Sequence, residues 1–512
     1  MPGVHYLELM GQHSSQREPS VALVPGPVAR AGLGADPGQA EAARALPRIA
    51  PFGAHLRLPR LRVALAPLLG RLALGMLIVG ALGVVAFASG RPSVLVPTSS
   101  LSFPHWESGP LHGVFGGLTR DFDTLQIGFS LILVAMTLAY VVAVSCVRAL
   151  SMRLIAICVV ALHLILLMSP PLQLTDLFNY LGYARLGALH HFNPYAHVIS
   201  QQLHDPVYRF STWHHLRSPY GPLFTAATYP LGLVSLPVGY WALKVATVLA
   251  SLGFVALVWK CARLLGRDPR FAVLFVAANP IFLMYAIGGF HNDFFMLVPS
   301  TAAIALLLAR RDRAAGAVLV LAVAVKFTAV LLLPFLLLAA RPSRRRGQIL
   351  LGAAAAAVPV LALSVALFGF SLPNLSDQST LLTGFSIPNL VGLTIGLGGG
   401  APALLRVANV ALVLVVAYLV RRRGDWLAGA GWSTFALIAS LAWLVPWYII
   451  WLLPLAALAT SLRLRRATLV LTVFLVLTFM PEAGVLLYDH GIDPMGGAPG
   501  HASKALAHRL ER

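Results

Sequence analysis

The sequence predicts an all-α polytopic membrane protein. Hydrophobic residues make up 58% of its 512 residues and charged residues only 11%, and the mean hydropathy is +0.80. Apolar runs of about 20 residues recur along the chain, as expected of transmembrane helices. The alternating pattern of membrane-spanning strands is not seen, which excludes a membrane barrel. We therefore expect a bundle of membrane-crossing helices.

The basic residues follow the same membrane pattern. The formal net charge is +20, which in a soluble protein would point to nucleic acid. Here the lysines and arginines stand in short clusters between apolar runs, as the positive-inside rule describes. We therefore predict the lipid bilayer as a partner and no nucleic acid. The three cysteines lie in or beside apolar runs, without the spacing of a redox pair or a zinc site.

The composition divides the chain into three parts. Residues 1–66 are rich in Pro, Gly, Ala and Arg and lack periodicity, so we expect a disordered cytoplasmic tail there. The first apolar run begins far from the N-terminus, which argues against a cleaved signal peptide. Residues 67–482 are predicted to form the transmembrane domain, and residues 483–512 an extracytoplasmic tail.

Apolar lengths and basic clusters together predict about 13 transmembrane helices. Two apolar segments that meet at Lys326 are each shorter than the roughly 17 residues that a helix needs to cross the bilayer. We therefore interpret them as a pair of short helices. The predicted segments are Leu72–Ser89, Leu125–Cys146, Leu154–Ser169, Val238–Trp259, Phe271–Ile287, Phe294–Ala309, Ala314–Val325, Thr328–Ala340, Ile349–Phe370, Leu404–Val420, Trp426–Pro446, Trp447–Leu462 and Ala467–Met480.

Residues 171–236 are predicted to be an outer catalytic loop. The loop is long, holds six of the sixteen histidines, and has residues before prolines at Asn193, Asp205 and Ser218 that should break it into short helices. Its last part, Gly221–Leu236, is apolar. A membrane crossing there would carry the basic residues 260–270 to the outside, so we interpret this part as an interfacial helix.

Asp176 is the acid best placed for catalysis in this loop. A helix starting there would put Asp176, Tyr180 and Tyr183 near one face. A carboxylate at the outer end of a membrane helix can take a proton from a hydroxyl group. The alternative is structural, because an acid after Thr175 also suits the cap of a helix.

A polar tripeptide and a lysine interrupt the later apolar runs. His291, Asn292 and Asp293 follow a Gly-Gly pair and offer groups that suit sugar hydroxyls, although they also suit a turn that caps the next helix. Lys326 stands in apolar sequence, where a cation marks a cavity, an ion pair or a site unless it extends to the surface. A cation just below the outer surface would suit the phosphate of a lipid-linked substrate.

The remaining signals are weaker. The loop histidines do not match a compact metal-ligand pattern, so we predict no metal site. Trp447, Tyr448 and Trp451 are typical of interfacial aromatic residues and secondarily of a surface on which sugars stack. No Walker loop or dinucleotide fingerprint is present, so we predict no nucleotide cofactor and expect any activated substrate to arrive through the lipid phase.

Six segments together resemble a known family. TDLFNYLGYARLG, FNPY, SPYGPLF, GGFHND, VKFTAVLLLP and PWYIIW follow the order and spacing of motifs in the polyprenol-phosphate-mannose-dependent α-1,6-mannosyltransferases of actinobacterial envelopes. These are GT-C glycosyltransferases, and the resemblance covers about residues 68–480. It implies a GT-C-type bundle in the plasma membrane with its active site on the extracytoplasmic face.

The resemblance also implies roles for the candidate residues. Polyprenyl-phosphate-mannose would be the donor and a glycan or lipoglycan hydroxyl the acceptor, with inversion at the sugar. Asp176 would be the base, and Lys326 with His291 would hold the donor phosphate. Many relatives carry a paired acid at this position, whereas this chain has Thr175 before Asp176 and Leu177 after it, which disfavours a two-carboxylate or metal-dependent site. Residues expected to bind the sugar or acceptor are Tyr180, Asn193, Tyr195, Tyr220, Asn292, Asp293, Trp447 and Tyr448.

Two other functions are compatible with the sequence. One is a GT-C transferase that uses another polyprenyl-phosphate sugar. The other is a transporter or flippase for lipid-linked sugars, which would need polar residues along a path through the midplane. The candidate polar groups gather on the predicted outer side instead, which favours an enzyme.

Overall fold

The computed structural model describes residues 60–90, 93, 95–96, 103–114, 121–373, 375–422 and 424–511. Within these ranges the chain is helical, apart from turns and one isolated bridge between Ser93 and Val96. The all-α prediction is confirmed. Residues 1–59 of the predicted tail lie outside the described residues, and the first helix begins at Arg60, inside the range predicted for the tail.

Twenty α-helices follow one another in the described residues. They are α1 (Arg60–Ala88), α2 (His105–Ser108), α3 (Phe122–Ser145), α4 (Met152–Leu167), α5 (Asp176–Ala188), α6 (Pro222–Gly232), α7 (Leu236–Leu264), α8 (Pro269–Ala277), α9 (Asp293–Leu308), α10 (Asp312–Val325), α11 (Leu333–Ala339), α12 (Ser343–Phe368), α13 (Ser376–Thr380), α14 (Ile387–Thr394), α15 (Pro402–Arg422), α16 (Trp426–Ser440), α17 (Ile449–Leu458), α18 (Leu462–Phe479), α19 (Glu482–Asp489) and α20 (Ala498–Glu511). Short 3₁₀ or π turns cover Val147–Ala149, Ile199–Gln201, Phe282–Ile287, Phe327–Leu332 and Pro446–Tyr448.

Five helices in the described residues have the length and hydropathy to cross a bilayer, namely α1, α3, α7, α12 and α15. A sixth span results if α18 and α19, which meet at 70°, are counted as one. Shorter apolar helices of 10–17 residues complete the bundle, including α4 and α9. The chain is therefore a polytopic membrane protein, but the predicted number of about 13 spans is not confirmed.

One predicted span is broken in the structure. Phe271–Ile287 was predicted as a single helix, whereas α8 ends at Ala277 and a π turn begins at Phe282. Pro280 has no N–H group to continue the helix. The side chain of Asn279 instead accepts hydrogen bonds from the backbone N–H groups of Ile281 (3.0 Å) and Phe282 (3.3 Å). A break in a helix is tolerated inside the bundle when the backbone polar groups at the break are paired in this way.

The hairpin predicted after residue 425 also differs. Its first helix, α16, ends at Ser440 rather than at Pro446. Leu444 is held outside the helix by Thr383, whose hydroxyl group donates to the Leu444 carbonyl (3.0 Å) and accepts from the Leu444 N–H (3.1 Å). At Lys326, in contrast, the prediction of two short helices is confirmed. This residue has an extended backbone (φ −151°, ψ 120°) between α10 and the next turn.

The loop formed by residues 171–236 contains less helix than predicted. Helix α6 ends at Gly232 rather than at Leu236, and a Cβ atom at Gly232 would lie 2.6 Å from the carbonyl oxygen of Ala184. Residues 189–221 are mostly turns, so the series of short helices predicted there is wrong except for Ile199–Gln201. The end of the bundle that carries this loop is called the loop end below.

The core lies along α8, the π turn and α17. All ten residues of α17 are buried, as expected for a helix that is apolar on every face. Helix α15, in contrast, has no buried residue. At the loop end, α20 packs over the loop: the backbone N–H of His215 donates to the carbonyl of Leu510 (2.9 Å). The segment predicted as a C-terminal tail thus contains two helices, α19 and α20.

Candidate functional site

Asp176 and His291 meet at the loop end although 114 residues separate them in the chain. Oδ2 of Asp176 lies 3.5 Å from Nδ1 of His291. The Asp176 side chain is 16% exposed and the His291 side chain 2%, so the carboxylate is accessible while the imidazole is enclosed. The His291 ring stacks on Trp447 with a centroid distance of 3.8 Å and an angle of 10°. This stacking fixes the plane of the imidazole beside the carboxylate.

Two local features place these side chains. Asp176 is the first residue of α5, and the N-cap position is held by Thr175, whose side chain makes no capping hydrogen bond. The alternative that Asp176 serves as the helix cap is therefore not supported. On the other side, the Leu172 N–H donates to the Gly288 carbonyl (2.8 Å), which joins the loop to the turn before His291. A Cβ atom at Gly289 would lie 2.5 Å from Nε2 of His291, so this turn requires glycine.

Asp293 forms the second charged centre of the site. It begins α9 and is 1% exposed. Its Oδ1 atom accepts from Nζ of Lys326 (2.7 Å) and from the indole N–H of Trp451 (2.6 Å). Lys326 also lies 5.1 Å and 5.0 Å from the ring centroids of Tyr448 and Trp451. Of the readings open for Lys326, the structure shows an ion pair, while its side chain remains 19% exposed.

The tripeptide 291–293 carries buried polar atoms without hydrogen-bond partners among the described residues. These atoms are Nδ1 of His291, both side-chain polar atoms of Asn292, and Oδ2 of Asp293. Leaving a buried polar group unpaired costs about 1 to 3 kcal/mol, and most such groups in native proteins are paired. Their concentration on three consecutive residues beside Asp176 indicates a site that binds a polar ligand.

Tyr180 and the aromatic rings around it lie next to the tripeptide. The hydroxyl group of Tyr180 accepts from the Asn292 N–H (3.3 Å), and its ring contacts Tyr220 and Phe224 edge to face, at 4.9 Å and 5.2 Å. Burial, with the carboxylates of Asp176 and Asp293, raises the pKa of Tyr180 well above its ordinary value. The phenol therefore stays protonated and can donate a hydrogen bond to a ligand.

Two predicted sugar-binding residues make their contacts elsewhere. The Asn193 amide donates to the Phe368 carbonyl at the end of α12 (2.8 Å). The Tyr195 hydroxyl group donates to the Tyr220 carbonyl (2.8 Å) and lies 3.2 Å from Oγ1 of Thr225. These contacts connect the loop to α6 and α12. A direct role of either residue in sugar binding stays a prediction.

The loop histidines do not gather around a metal site. His190 is bound to Asp205 (2.7 Å), and the His214 ring stacks on Tyr208 at 4.0 Å. No group of three or more potential metal ligands occurs in the described residues. Asp205 also accepts a bifurcated hydrogen bond from the Nε–H group of Arg185, at 2.8 Å to Oδ1 and 3.0 Å to Oδ2, so this acid stabilises the loop.

Sequence reasoning missed several residues that position the site. Asn179 exchanges hydrogen bonds with the backbone of Thr212 (3.4 Å) and Trp213 (3.3 Å), and the hydroxyl groups of Thr175 and Thr212 are in contact. The Thr175 hydroxyl therefore connects the residue before Asp176 to the loop. The bond of Trp451 to Asp293 was also missed. The only sequence signal for such a partner is that the polar tripeptide 291–293 lies between apolar segments.

Comparisons with known proteins show which family the chain belongs to. A sequence model described as alpha-(1->6)-mannopyranosyltransferase, N-terminal domain, matches residues 68–342, and one described as MptB C-terminal domain matches residues 382–495. Alpha-(1->6)-mannopyranosyltransferase A of Mycobacterium tuberculosis is 28% identical over 63% of this chain and 69% of its own length. Its namesake from Corynebacterium glutamicum is 28% identical over 33% of this chain and 35% of its own length. No solved structure matches the chain. Because the first model covers more than half of the chain, the chain belongs to the α-(1→6)-mannopyranosyltransferase family of glycosyltransferases.

Proposed function

We propose that the chain transfers mannose from polyprenyl-phosphate-mannose to a hydroxyl group of a glycan or lipoglycan, with inversion and an α-1,6 linkage. The observation that carries this proposal is the group of buried polar atoms on residues 291–293 that have no hydrogen-bond partner within the described part of the chain, beside the accessible carboxylate of Asp176. Such atoms suit the hydroxyl groups of a sugar. The names of the two relatives support mannose as that sugar.

The proposed step uses Asp176 as the general base. The acceptor hydroxyl loses its proton to the Asp176 carboxylate while its oxygen bonds to the anomeric carbon of mannose. The bond between that carbon and the phosphate oxygen breaks, and its electron pair leaves with polyprenyl phosphate. His291, 3.5 Å from the carboxylate, would orient Asp176 toward the acceptor. A positioned base of this kind contributes about a hundredfold to ten-thousandfold to the rate.

Lys326 is the proposed contact to the donor phosphate. Its ammonium group has three N–H donors, so it can keep its bond to Asp293 and still donate to a phosphate oxygen. Its 19% exposure leaves room for that second contact. The lipid chain would then remain in the bilayer beside the bundle.

We further propose that the loop end faces the outside of the plasma membrane. The helices that begin near the site lead to basic segments: α9 starts at Asp293 and ends just before Arg310 and Arg311. Helix α7 likewise leads from the loop to Arg263. The positive-inside rule assigns such basic ends to the cytoplasm. A lipid-linked donor fits this arrangement because nucleotide sugars are cytoplasmic substrates, and no nucleotide motif occurs in the sequence.

The test is a transfer assay with the purified chain in lipid nanodiscs. Labelled polyprenyl-phosphate-mannose and an α-1,6-mannan acceptor should give labelled glycan, whereas the corresponding glucose donor should not. Asp176→Asn should lower kcat by about a hundredfold or more while donor binding is kept. Asp489→Asn, which changes an exposed acid at the end of α19, is the matched control. Turnover by Asp176→Asn equal to that of the control would disprove the assignment of the base.

A further inference from the structure

Lys244 is a buried basic residue that the proposed reaction does not use. It is the ninth residue of α7, a membrane-crossing candidate, and its side chain is 0% exposed. Its Nζ atom donates to the Ser169 carbonyl (2.7 Å), and no carboxylate forms an ion pair with it within the described part of the chain. An ionisable residue inside a membrane span is costly and is normally functional.

Three aromatic rings enclose this amino group. Nζ lies 3.9 Å from the ring centroid of Trp241, 4.9 Å from that of Tyr240 and 4.8 Å from that of Phe290. The first two rings belong to α7 itself, and the Tyr240 hydroxyl group also donates to the Glu107 carbonyl on α2 (2.7 Å). The position of the amino group is therefore set by α7 and its neighbours, and the Phe290 ring is the contact that leads to the site.

The two segments that Lys244 contacts outside α7 are those that carry the proposed base and its partner. Ser169 lies in the segment that leads from α4 into α5 and so to Asp176. Phe290 directly precedes His291. One side chain thus contacts both segments of the junction at which the carboxylate and the imidazole lie 3.5 Å apart.

The backbone of Phe290 has a conformation that needs support from its surroundings. Its φ angle is +52°, in the left-handed region that residues with a Cβ atom enter only at a cost. Such conformations persist where the surrounding structure fixes them in more than one way. The Phe290 N–H donates to the Ile287 carbonyl (2.9 Å), and the ring is 0% exposed and in contact with Lys244. These contacts determine the direction in which the chain enters His291.

We propose that Lys244 is a positioning residue for Asp176 and His291. By holding the Ser169 carbonyl on one side and the Phe290 ring on the other, it sets the separation of the carboxylate from the imidazole. This inference rests on the proposed transfer reaction, in which that carboxylate takes the proton of the acceptor. A displacement of about 1 Å at a reacting group can lower a rate about a hundredfold.

The first test compares kcat with KM. Lys244→Met keeps the length of the side chain but removes its N–H donors. It should therefore lower kcat about tenfold to a hundredfold and leave the KM of donor and acceptor close to those of the parent. Lys260→Met makes the same chemical change at an exposed position near the other end of α7. It is the matched control and should keep the kcat of the parent.

A spectroscopic signal of His291 separates positioning from general stability. Because this ring stacks on Trp447 at 3.8 Å, its protons carry a ring-current shift in NMR spectra of histidine-labelled protein. The signal is assigned by its loss in His291→Phe, and Lys244→Met should move it. Ser251→Ala removes a buried hydrogen bond between α7 and His163 (2.9 Å). This variant should lower the melting temperature without moving the signal.

Two further variants keep the test decisive if Lys244→Met does not fold. Lys244→Gln keeps an N–H donor, so it should retain more transfer and a smaller displacement of the His291 signal. Phe290→Leu keeps an apolar side chain but removes the ring from the amino group, so it should move the signal as Lys244→Met does. Because the two residues act through one contact, kcat of the double variant should fall no further than that of the single variants.

The outcomes against the proposal are specific. An unmoved His291 signal in folded Lys244→Met, or in Phe290→Leu, would overturn it. An equal loss of kcat in Ser251→Ala and Lys244→Met at similar melting temperatures would do so too, since general loosening would then explain both. The signal is recorded without turnover. A parent chain that transfers no mannose would therefore contradict the proposed function, while the signal would still decide the role of Lys244.

Discussion

Replacing Lys326 with methionine should destabilise the protein by a predictable amount. Asp293 is 1% exposed, and its Oδ1 atom is held by Lys326 and Trp451 at 2.7 Å and 2.6 Å. Lys326→Met keeps the length of the side chain but leaves the carboxylate buried with only the indole N–H. Removing one partner of a buried ion pair costs about 3 to 5 kcal/mol. We expect a loss of this size in the free energy of unfolding.

A double variant separates the ion pair from the donor site. Asp293→Asn keeps an oxygen that accepts from Trp451 and removes the buried charge. Asp293→Asn with Lys326→Met should therefore recover most of the lost stability. If Lys326 also binds the donor phosphate, kcat/KM of the double variant stays low by about tenfold to a hundredfold. Loss of transfer beyond that of Asp293→Asn alone, without loss of folded protein, would then identify the phosphate contact.

The assay is a denaturant titration of the purified protein in micelles, followed by tryptophan fluorescence, for the parent and three variants. The free energies form a double-mutant cycle whose coupling term measures the pair. A single Lys326→Met variant within about 1 kcal/mol of the parent would refute the reasoning, since an exposed ion pair contributes no more than that. Additive losses in the double variant would refute it as well.

Three further predictions concern other parts of the loop end. His291→Phe keeps the stacked ring but not the ring nitrogens, so kcat should fall about tenfold to a hundredfold with little change in stability. Burial alone would raise the pKa of Asp205, but hydrogen bonds from Arg185 and a nearby histidine hold it below the ordinary value of 3.8. The stability that this acid supplies is therefore complete above pH 3.8 and lost as the pH falls through the lower folded-state pKa. Asp205→Asn should unfold more easily than the parent at neutral pH, with a difference that disappears in acid denaturation curves. Leu510→Ala should weaken the packing of α20 on the loop, so limited trypsin digestion should cleave faster after Arg217. An unchanged cleavage rate would show that α20 does not cover the loop.

The sequence predicted those structural features that depend on residues close together in the chain. Long apolar runs predicted α1, α3, α7, α12 and α15, because a helix that crosses lipid must be apolar over its whole length. The two short helices that meet at Lys326 were predicted by the same length argument. The helix that begins at Asp176 and carries Tyr180 was likewise expected from its spacing. In each case the signal lies within one segment of the chain.

The predicted number of spans was not confirmed because hydropathy does not distinguish lipid from protein. Residues 272–287 are apolar except for Asn279, and they are buried among other helices rather than exposed to lipid. Within the bundle, Asn279 can pair the backbone groups freed at Pro280, so a broken helix is tolerated there. The same reason explains why α16 ends at Ser440, where Thr383 takes over the hydrogen bonds of Leu444.

Only the tertiary structure decided which candidate groups meet. The sequence by itself determined the helical membrane class and marked Asp176, His291, Asp293 and Lys326 as unusual polar residues in apolar surroundings. It did not show that the first two face each other or that the last two form a buried pair with an indole. Helical periodicity follows from contacts three or four residues apart, whereas these distances arise from the packing of segments separated by up to 158 residues.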